Sequence, residues 1–261
     1  LREMTGGDIE IYTGLRIPSN GPVVLIGSHP NLPLVGLQAP PNLSGDAYFL
    51  QGKNNAFHIA GAGEMGAEYG VYDLLERLGC RKFSPRDSLI PRLPQLVLPQ
   101  LAPTLETPAF PYRELHYEPA FDATWARWHR LKTRNDKDRD WGLFVHTFQQ
   151  LCPPEYYFAE HPGYFSWNGA QYSPGQLCLT NDTVRQIVIA ALREKMREKP
   201  EAKYWSVSQN DNFDYCKCPR CAASDAFYGG SPAGTLLAFV NTVATTFPDK
   251  IERLANLEWI Q

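Results

Sequence analysis

The sequence predicts an α/β protein in which a small α/β domain precedes the first half of a (β/α)8 barrel of the TIM type. After residue 110, four strand-like segments alternate with helical segments, which is typical of parallel strands joined by crossover helices. About 150 residues hold these four units, whereas a closed eight-fold barrel needs about 250 residues. We therefore expect a barrel that is cut near residue 261, with an open doubly wound sheet as the alternative.

The first hundred residues alternate short strand-like runs with turns that contain Gly, Pro or Asn, which predicts a small sheet. These runs cover residues 8–17, 21–29, 45–54 and 55–63. A helix is predicted over residues 66–80 because four apolar side chains recur there at helical spacing, and Gly79 is its expected C-cap. Those side chains are Val71, Leu74, Leu75 and Leu78. The preceding GAGEMG segment predicts a tight turn, since it lacks the rest of a dinucleotide-binding unit.

Residues 84–111 are rich in Pro and show little periodicity, which predicts a linker or an extended crossing segment. We place a domain boundary near residue 110, with domains at 1–110 and 111–261. The strands predicted in the second domain cover residues 112–117, 141–148, 175–180 and 203–209. The predicted helices cover residues 122–135, 181–199 and 232–247, and Asn181 or Thr180 is the expected N-cap of the second.

Composition excludes several classes of protein. The net charge of −3 comes without a basic patch, so a nucleic-acid partner is not expected. No apolar run reaches the roughly 18–20 residues that a membrane-spanning helix needs. Six cysteines in 261 residues are too sparse for a disulfide scaffold. The N-terminus shows no signal-peptide pattern.

Candidate functional residues follow the predicted strands, because groups at the carboxyl ends of parallel strands share one mouth. Asp211 is the candidate catalytic acid, since a carboxylate there can protonate a leaving oxygen or stabilise a developing positive charge. An N-D-N run is also a good loop starter, so local backbone bonding is the alternative interpretation. The predicted substrate-binding residues are His146, Asn210, Gln209, Glu114, Arg113 and Trp141.

Cys216, Cys218 and Cys221 form a C-x-C-x-x-C motif directly after the fourth predicted strand. Thiolates at this spacing can bind zinc, but a closed structural site needs a fourth ligand, which would be Cys178, a histidine or a group outside the chain. A disulfide or free thiols are the alternatives. No cofactor is required by the predicted chemistry, and a structural zinc ion would hold the loop beside Asp211 in place.

Several segments resemble known families. Residues 66–85, GAEYGVYDLLERLGCRKFSP, resemble the helix of the N-terminal domain of alpha-glucuronidase-type (family 67-like) glycoside hydrolases. The H-T-F, H-P-x-Y-F, Q-L-C-L and S-Q-N-D…C-x-C-x-x-C motifs, in this order, resemble a bacterial domain family of unknown function that usually follows that N-terminal domain. The likeness covers residues 45–247.

The resemblance implies an O-glycosyl hydrolase acting on an oligosaccharide or polysaccharide, exported to the periplasm, the cell surface or the medium. The alpha-glucuronidases place a catalytic glutamate on the fourth strand, where this chain has Gln209, Asn210 and Asp211. Their base carboxylates would lie beyond residue 261. A carbohydrate-binding protein without catalysis, in which Trp141, Tyr164 and Trp167 stack on sugars, is the second hypothesis. A structural or interaction module with a zinc knuckle is the third.

Overall fold

The structure of the protein is a computed structural model that describes residues 1–14, 16–18 and 20–247. The chain divides into two compact units, Leu1–Arg134 and Asn135–Gln261. The domain boundary near residue 110 stays a prediction. Each unit has its own hydrophobic core.

The first unit is built on a four-stranded mixed sheet covered by one long helix. Its helices are α1 (Arg2–Thr5), α2 (Glu64–Arg77) and α3 (Ala123–Trp128). Its strands are β1 (Val23–Ile26), β2 (Tyr48–Lys53), β3 (Ala56–Gly61), β4 (Arg81–Lys82), β5 (Ser88–Leu89) and β6 (Leu101–Glu106). The sheet order is β1-β3-β2-β6, with β1 parallel to β3 and β2 antiparallel to both of its neighbours.

The hairpin between β2 and β3 turns through Asn54 and Asn55, whose φ angles are 50° and 61°. Two consecutive positive φ angles are the requirement of a type I′ turn, and Asn tolerates them better than most residues. Lys53 therefore pairs with Ala56 and the register of the whole hairpin is fixed.

Helix α2 packs closely on this sheet because glycine faces the strands. A Cβ on Gly70 would lie 2.5 Å from Cγ2 of Ile59, and a Cβ on Gly66 would lie 2.4 Å from the carbonyl oxygen of Ala47. The GAGEMG segment thus serves close helix packing, in agreement with the predicted tight turn. The helix ends before Gly79, whose φ of 97° is the left-handed conformation expected at a C-cap.

The second unit combines a parallel strand pair, a β-hairpin and six helices within its described residues. The strands are β7 (Trp141–Leu143), β8 (Phe165–Trp167), β9 (Tyr172–Leu177) and β10 (Tyr204–Trp205). The helices are α4 (Arg134–Asp140), α5 (Phe148–Leu151), α6 (Pro154–Tyr157), α7 (Asp182–Glu198), α8 (Pro219–Phe227) and α9 (Pro232–Ala244). Strands β7 and β10 pair in parallel, and β8 and β9 pair antiparallel.

Helix α7 supplies much of the second core. Asn181 caps it by accepting hydrogen bonds from the backbone N–H groups of Thr183 and Val184, as predicted. One face of the helix is buried, and its five buried residues are Val184, Val188, Ile189, Leu192 and Met196.

Among the described residues, no helix combines the length and the apolar character that crossing a membrane requires.

The structure supports a mixed α/β fold but shows no closed barrel among residues 1–14, 16–18 and 20–247. The strand predicted at residues 112–117 is absent, since those residues lack regular structure. The strand predicted at residues 175–180 is instead part of β9, an antiparallel hairpin arm. The reason is the Asn168–Gly169 turn, in which Oδ1 of Asn168 accepts two backbone N–H bonds and Gly169 adopts a φ of 108°. The remaining two predicted strands form the parallel pair.

Candidate functional site

The carboxyl ends of β7 and β10 are joined by hydrogen bonds beyond the strands themselves. The buried hydroxyl of Thr147 donates to the carbonyl of Ser206 at 3.0 Å and accepts from the backbone N–H of Ser208 at 3.0 Å. The carbonyl of Ser208 accepts in turn from the backbone N–H groups of Thr147 and Phe148, both at 3.1 Å. The two segments that follow the strands are therefore held against each other.

His146 lies at this junction in an unusual backbone conformation, with a φ of 59°. Its backbone N–H donates to Oγ of Ser208 at 2.9 Å, and its Nδ1 lies 3.1 Å from the carbonyl oxygen of Gln209. A carbonyl only accepts, so Nδ1 carries a proton, and in the neutral form of the ring Nε2 is then an acceptor. The side chain is exposed, so an oriented imidazole faces solvent beside Gln209. Left-handed non-glycine residues are concentrated at functional sites.

Gln176, on β9, binds the segment after β10 as a neighbouring strand would. Its Oε1 accepts from the backbone N–H of Asn210 at 3.1 Å, and its Nε2 donates to the carbonyl of Asn210 at 2.7 Å. The side chain of Asn210 then donates to the carbonyl of Gly175 at 2.8 Å. Asn210 and Gln176 are both buried, so the predicted ligand Asn210 uses its amide group to fix the loop.

Asp211 follows directly and is exposed, as is Phe213, of which 93% of the surface is accessible. The chain therefore changes within three residues from a buried, fully hydrogen-bonded backbone to side chains that face solvent. Asp211 is placed where it can meet a ligand in solution, and Phe213 offers an apolar face beside it.

A pocket lies next to this loop and contains a carboxylate that the sequence did not single out. Gln176, Gln209, Tyr215 and Asp225 contribute to its lining. Asp225 lies on α8, is half-buried, and accepts a hydrogen bond from the hydroxyl of Thr235. The signal that could have found it is helical spacing: Asp225 follows Cys221 by four residues and so lies on the same face of α8.

The cysteines beyond β10 form one cluster with a fourth member. The sulfur atoms of Cys178, Cys216, Cys218 and Cys221 all lie within 4.8 Å of one another, and none forms a disulfide. Cys178 is thus the fourth sulfur that the motif required. Hydrogen bonding between the thiols raises the pKa of Cys178 and lowers that of Cys216, which receives the bonds. These are four donors of the type that structural zinc sites use.

The other predicted site residues have different surroundings. In the first unit, Arg113 donates to Asp46 at 2.9 Å, and Glu114 accepts a hydrogen bond from Tyr112 at 2.7 Å. In the second unit, Trp141 is buried, with its ring centroid 5.3 Å from that of Tyr204. Of the predicted set, the second unit brings together His146, Gln209, Asn210 and Asp211, with the cysteine motif following them.

Lys132 also donates to Asp46, at 2.7 Å, so this carboxylate joins two cations. Burial raises the pKa of Asp46, but hydrogen bonds and charges from Lys132 and Arg113 outweigh burial and bring the pKa below its ordinary value. Arg113 therefore stabilises the first unit through Asp46.

Comparison with protein families and with curated proteins places the chain in a family. No curated protein matches the chain. The sequence model of one family matches residues 82–257, which is more than half of the chain. The match includes the strand-end residues, the pocket lining and all four clustered cysteines. The chain therefore belongs to the family described as Domain of unknown function (DUF4838).

Proposed function

We propose that the chain is part of a glycoside hydrolase that acts on a polysaccharide or glycan side chain and is related to the alpha-glucuronidases. The observation that carries the proposal is the parallel pair β7–β10, whose carboxyl ends present His146, Gln209 and Asp211 on interlocked segments. In parallel α/β architectures, ligands and catalytic groups gather at this end of the strands. The proposal includes a (β/α)8 barrel, of which this pair would be a part, and export from the cell.

Each residue has a distinct role in the proposed reaction. Asp211 protonates the leaving glycosidic oxygen, because it is the exposed carboxylate at the strand ends. Nε2 of His146 accepts a hydrogen bond from a sugar hydroxyl, in the tautomer that the bond from Nδ1 to the carbonyl of Gln209 selects. Asp225 is a carboxylate in the neighbouring pocket that Gln209 also lines, and Thr235 donates a hydrogen bond to it. It is the candidate within this chain for the group that acts on the anomeric carbon or on water.

The test is hydrolysis of aryl-glycosides and of uronic-acid-capped oligosaccharides by the full-length protein. Replacing a general acid typically costs about 10²–10⁴-fold in rate, so Asp211→Asn is expected to lose at least about a hundredfold in kcat. Asp214→Asn is the matched control, because Asp214 is exposed in the same loop. Unchanged kcat in Asp211→Asn would remove Asp211 from the mechanism, and no turnover by the parent on any of these substrates would refute the hydrolase.

A carbohydrate-binding protein without catalysis is the second candidate, and exposed aromatic side chains favour it. Phe213, Tyr215 and Phe227 are exposed on the loop after β10 and on α8, and such rings can stack on the apolar faces of sugars. An aromatic contact is worth about 0.5–1.5 kcal/mol, so Phe213→Ala should weaken glycan binding by up to about tenfold. Calorimetric titration that shows this loss without any turnover would favour binding over hydrolysis.

A further inference from the structure

We infer that Cys178, Cys216, Cys218 and Cys221 bind one structural Zn²⁺ ion. The sulfur of Cys178 lies 3.8 Å from that of Cys218 and 3.9 Å from that of Cys221. Zinc binds thiolates at about 2.3 Å, so the edges of a ZnS₄ tetrahedron measure about 3.8 Å. Disulfide sulfurs lie about 2.05 Å apart and join in pairs, whereas here four sulfurs all lie within 4.8 Å of one another.

The cluster gathers ligands from places far apart in the chain. Cys178 directly follows β9, Cys216 lies in the loop after β10, Cys218 is the N-cap of α8 and Cys221 lies in its first turn. A metal ion here would cross-link the β8–β9 hairpin to the start of α8. Thiolates are favoured at the N-terminus of a helix because the helix dipole is positive there. The backbone N–H of Cys221 also lies 3.5 Å from the sulfur of Cys218.

Surrounding groups already orient the sulfurs as the outer shell of a metal site does. The backbone N–H of Trp167 donates to the sulfur of Cys216 at 3.4 Å, and Oγ1 of Thr180 lies 3.2 Å from the sulfur of Cys221. Such hydrogen bonds stabilise metal-bound thiolates and fix their direction.

The chemistry of the donors selects the ion and its role. Four sulfurs with no oxygen or nitrogen among them match the thiophilic metals zinc and iron, whereas Mg²⁺, Ca²⁺ and Mn²⁺ prefer oxygen, and elemental analysis distinguishes zinc from iron. Four protein ligands leave no position for water or substrate, and three of the four cysteines are buried. The site is therefore structural, and the ion takes no part in the proposed chemistry.

A zinc ion at this site would also restrain the segment that follows β10. Cys178 lies two residues after Gln176, which binds the backbone of Asn210, and Cys216 lies six residues after Asn210. Zinc would thus link Cys178 to Cys216 and restrain the segment that carries Asp211. Removing the metal is expected to loosen residues 209–216 before the core of the unit unfolds.

The experiment is elemental analysis of the purified full-length protein, combined with mass spectrometry of its thiols. We expect about one zinc per chain and no disulfide among the four cysteines. Cys178→Ala should lose the zinc after dialysis against a chelator, whereas Cys152→Ala should keep it, because Cys152 is buried in the same unit outside the cluster. Zinc retained by Cys178→Ala, an iron–sulfur cluster, or disulfides in place of metal would each refute the site.

A second measurement covers the case in which Cys178→Ala does not fold. The parent is stripped of metal by a chelator under denaturing conditions, refolded and titrated with Co²⁺, which gives the visible spectrum of tetrahedral thiolate coordination when four sulfurs bind it. Zinc should then displace the cobalt and abolish that spectrum, and hydrogen exchange in residues 209–216 should slow when zinc returns. Cobalt bound without thiolate bands would overturn the assignment. Activity does not enter either measurement, so the zinc site and the hydrolase proposal can fail separately.

Discussion

Replacing Gln176 by Met tests whether a single side chain holds the segment that leads to Asp211. Methionine matches glutamine in length and volume but has no amide. The backbone N–H of Asn210 would lose Oε1 of Gln176 as its acceptor, and burial keeps water from replacing it. The carbonyl of Asn210 would lose one donor but keep the backbone N–H of Asn212 at 2.8 Å.

The magnitude follows from these two groups. An unpaired buried N–H costs about 1–3 kcal/mol, and one lost hydrogen bond to a carbonyl that keeps another partner costs about 0.5–1.5 kcal/mol. Bonds from Gln176 to Asn212 add little, because Asn212 is exposed and water can replace them. We expect Gln176→Met to lower the free energy of unfolding of the second unit by about 1.5–4.5 kcal/mol, the sum of these two contributions.

Urea unfolding measures the loss, and hydrogen exchange of the Asn210 amide locates it. Gln150→Met is the matched control, because Gln150 is exposed on α5, and such surface changes stay within about 0.5 kcal/mol. The Asn210 amide should exchange faster in Gln176→Met and at the parental rate in the control. A Gln176→Met protein with parental stability and parental exchange would show that the loop is held by other contacts.

Three further outcomes are expected. Gly142→Ala should lower the free energy of unfolding by about 1–3 kcal/mol in a urea titration, because its Cβ would lie 2.2 Å from the ring of Trp205. Gly163→Ala is the control, since the nearest neighbour of its Cβ would be 3.9 Å away; equal stability of the two variants would contradict this packing. Asp46→Asn should destabilise the protein at pH 7. Its deficit should begin to shrink near the ordinary pKa of 3.8 and vanish only once the pH falls below the lowered native pKa, because both states are then protonated; a deficit that stays constant with pH would exclude the ion pairs as its cause. Burial raises the pKa of Cys152 to about 11, so mass spectrometry should find this thiol unalkylated in the native protein at pH 8, and rapid labelling would contradict its burial.

Local signals predicted much of the first unit. Strands β1, β2 and β3 lie within the predicted segments, and helix α2 overlaps its predicted segment but begins two residues earlier and ends three residues earlier. Alternating residues, turns and an apolar helical stripe are properties of short windows, which is why they could be predicted. Strand β6 lies within the segment predicted as a linker. Its Pro103 argued against a strand, but β6 is at the edge of the sheet, where a missing N–H is tolerated.

Non-local pairing explains where the second unit departed from prediction. The apolar character of residues 175–180 predicts a strand but does not reveal the strand with which it pairs, so the sequence predicts that it belongs to a parallel sheet. The Asn168–Gly169 dipeptide just upstream is a hairpin signal, and it outweighs the alternation of strands and helices. The segment at residues 112–117 has apolar and aromatic residues of a strand, but its Arg113 binds Asp46, 67 residues away.

The residues of the candidate site were likewise predictable only where their role does not depend on distant partners. The sequence predicted His146, Gln209 and Asp211 together, because chain order alone places them after neighbouring parallel strands. It could not single out Gln176, whose function depends on a partner 34 residues away. Cys178 was one of several possible fourth ligands, and only the fold brings it to the other three cysteines.

The shortness of the strands explains why so many polar side chains are needed around them. Strand β7 has three residues and β10 has two, so their ladder alone cannot order the segments that follow. Thr147 and Gln176 supply the missing backbone partners up to Asn210, and beyond Asn210 the side chains turn to solvent. Residues up to Asn210 therefore position the loop, and Asp211 and Phe213 are free to contact a ligand. A variant of Asn210 should accordingly lose stability and activity together, whereas Asp211→Asn should lose activity alone.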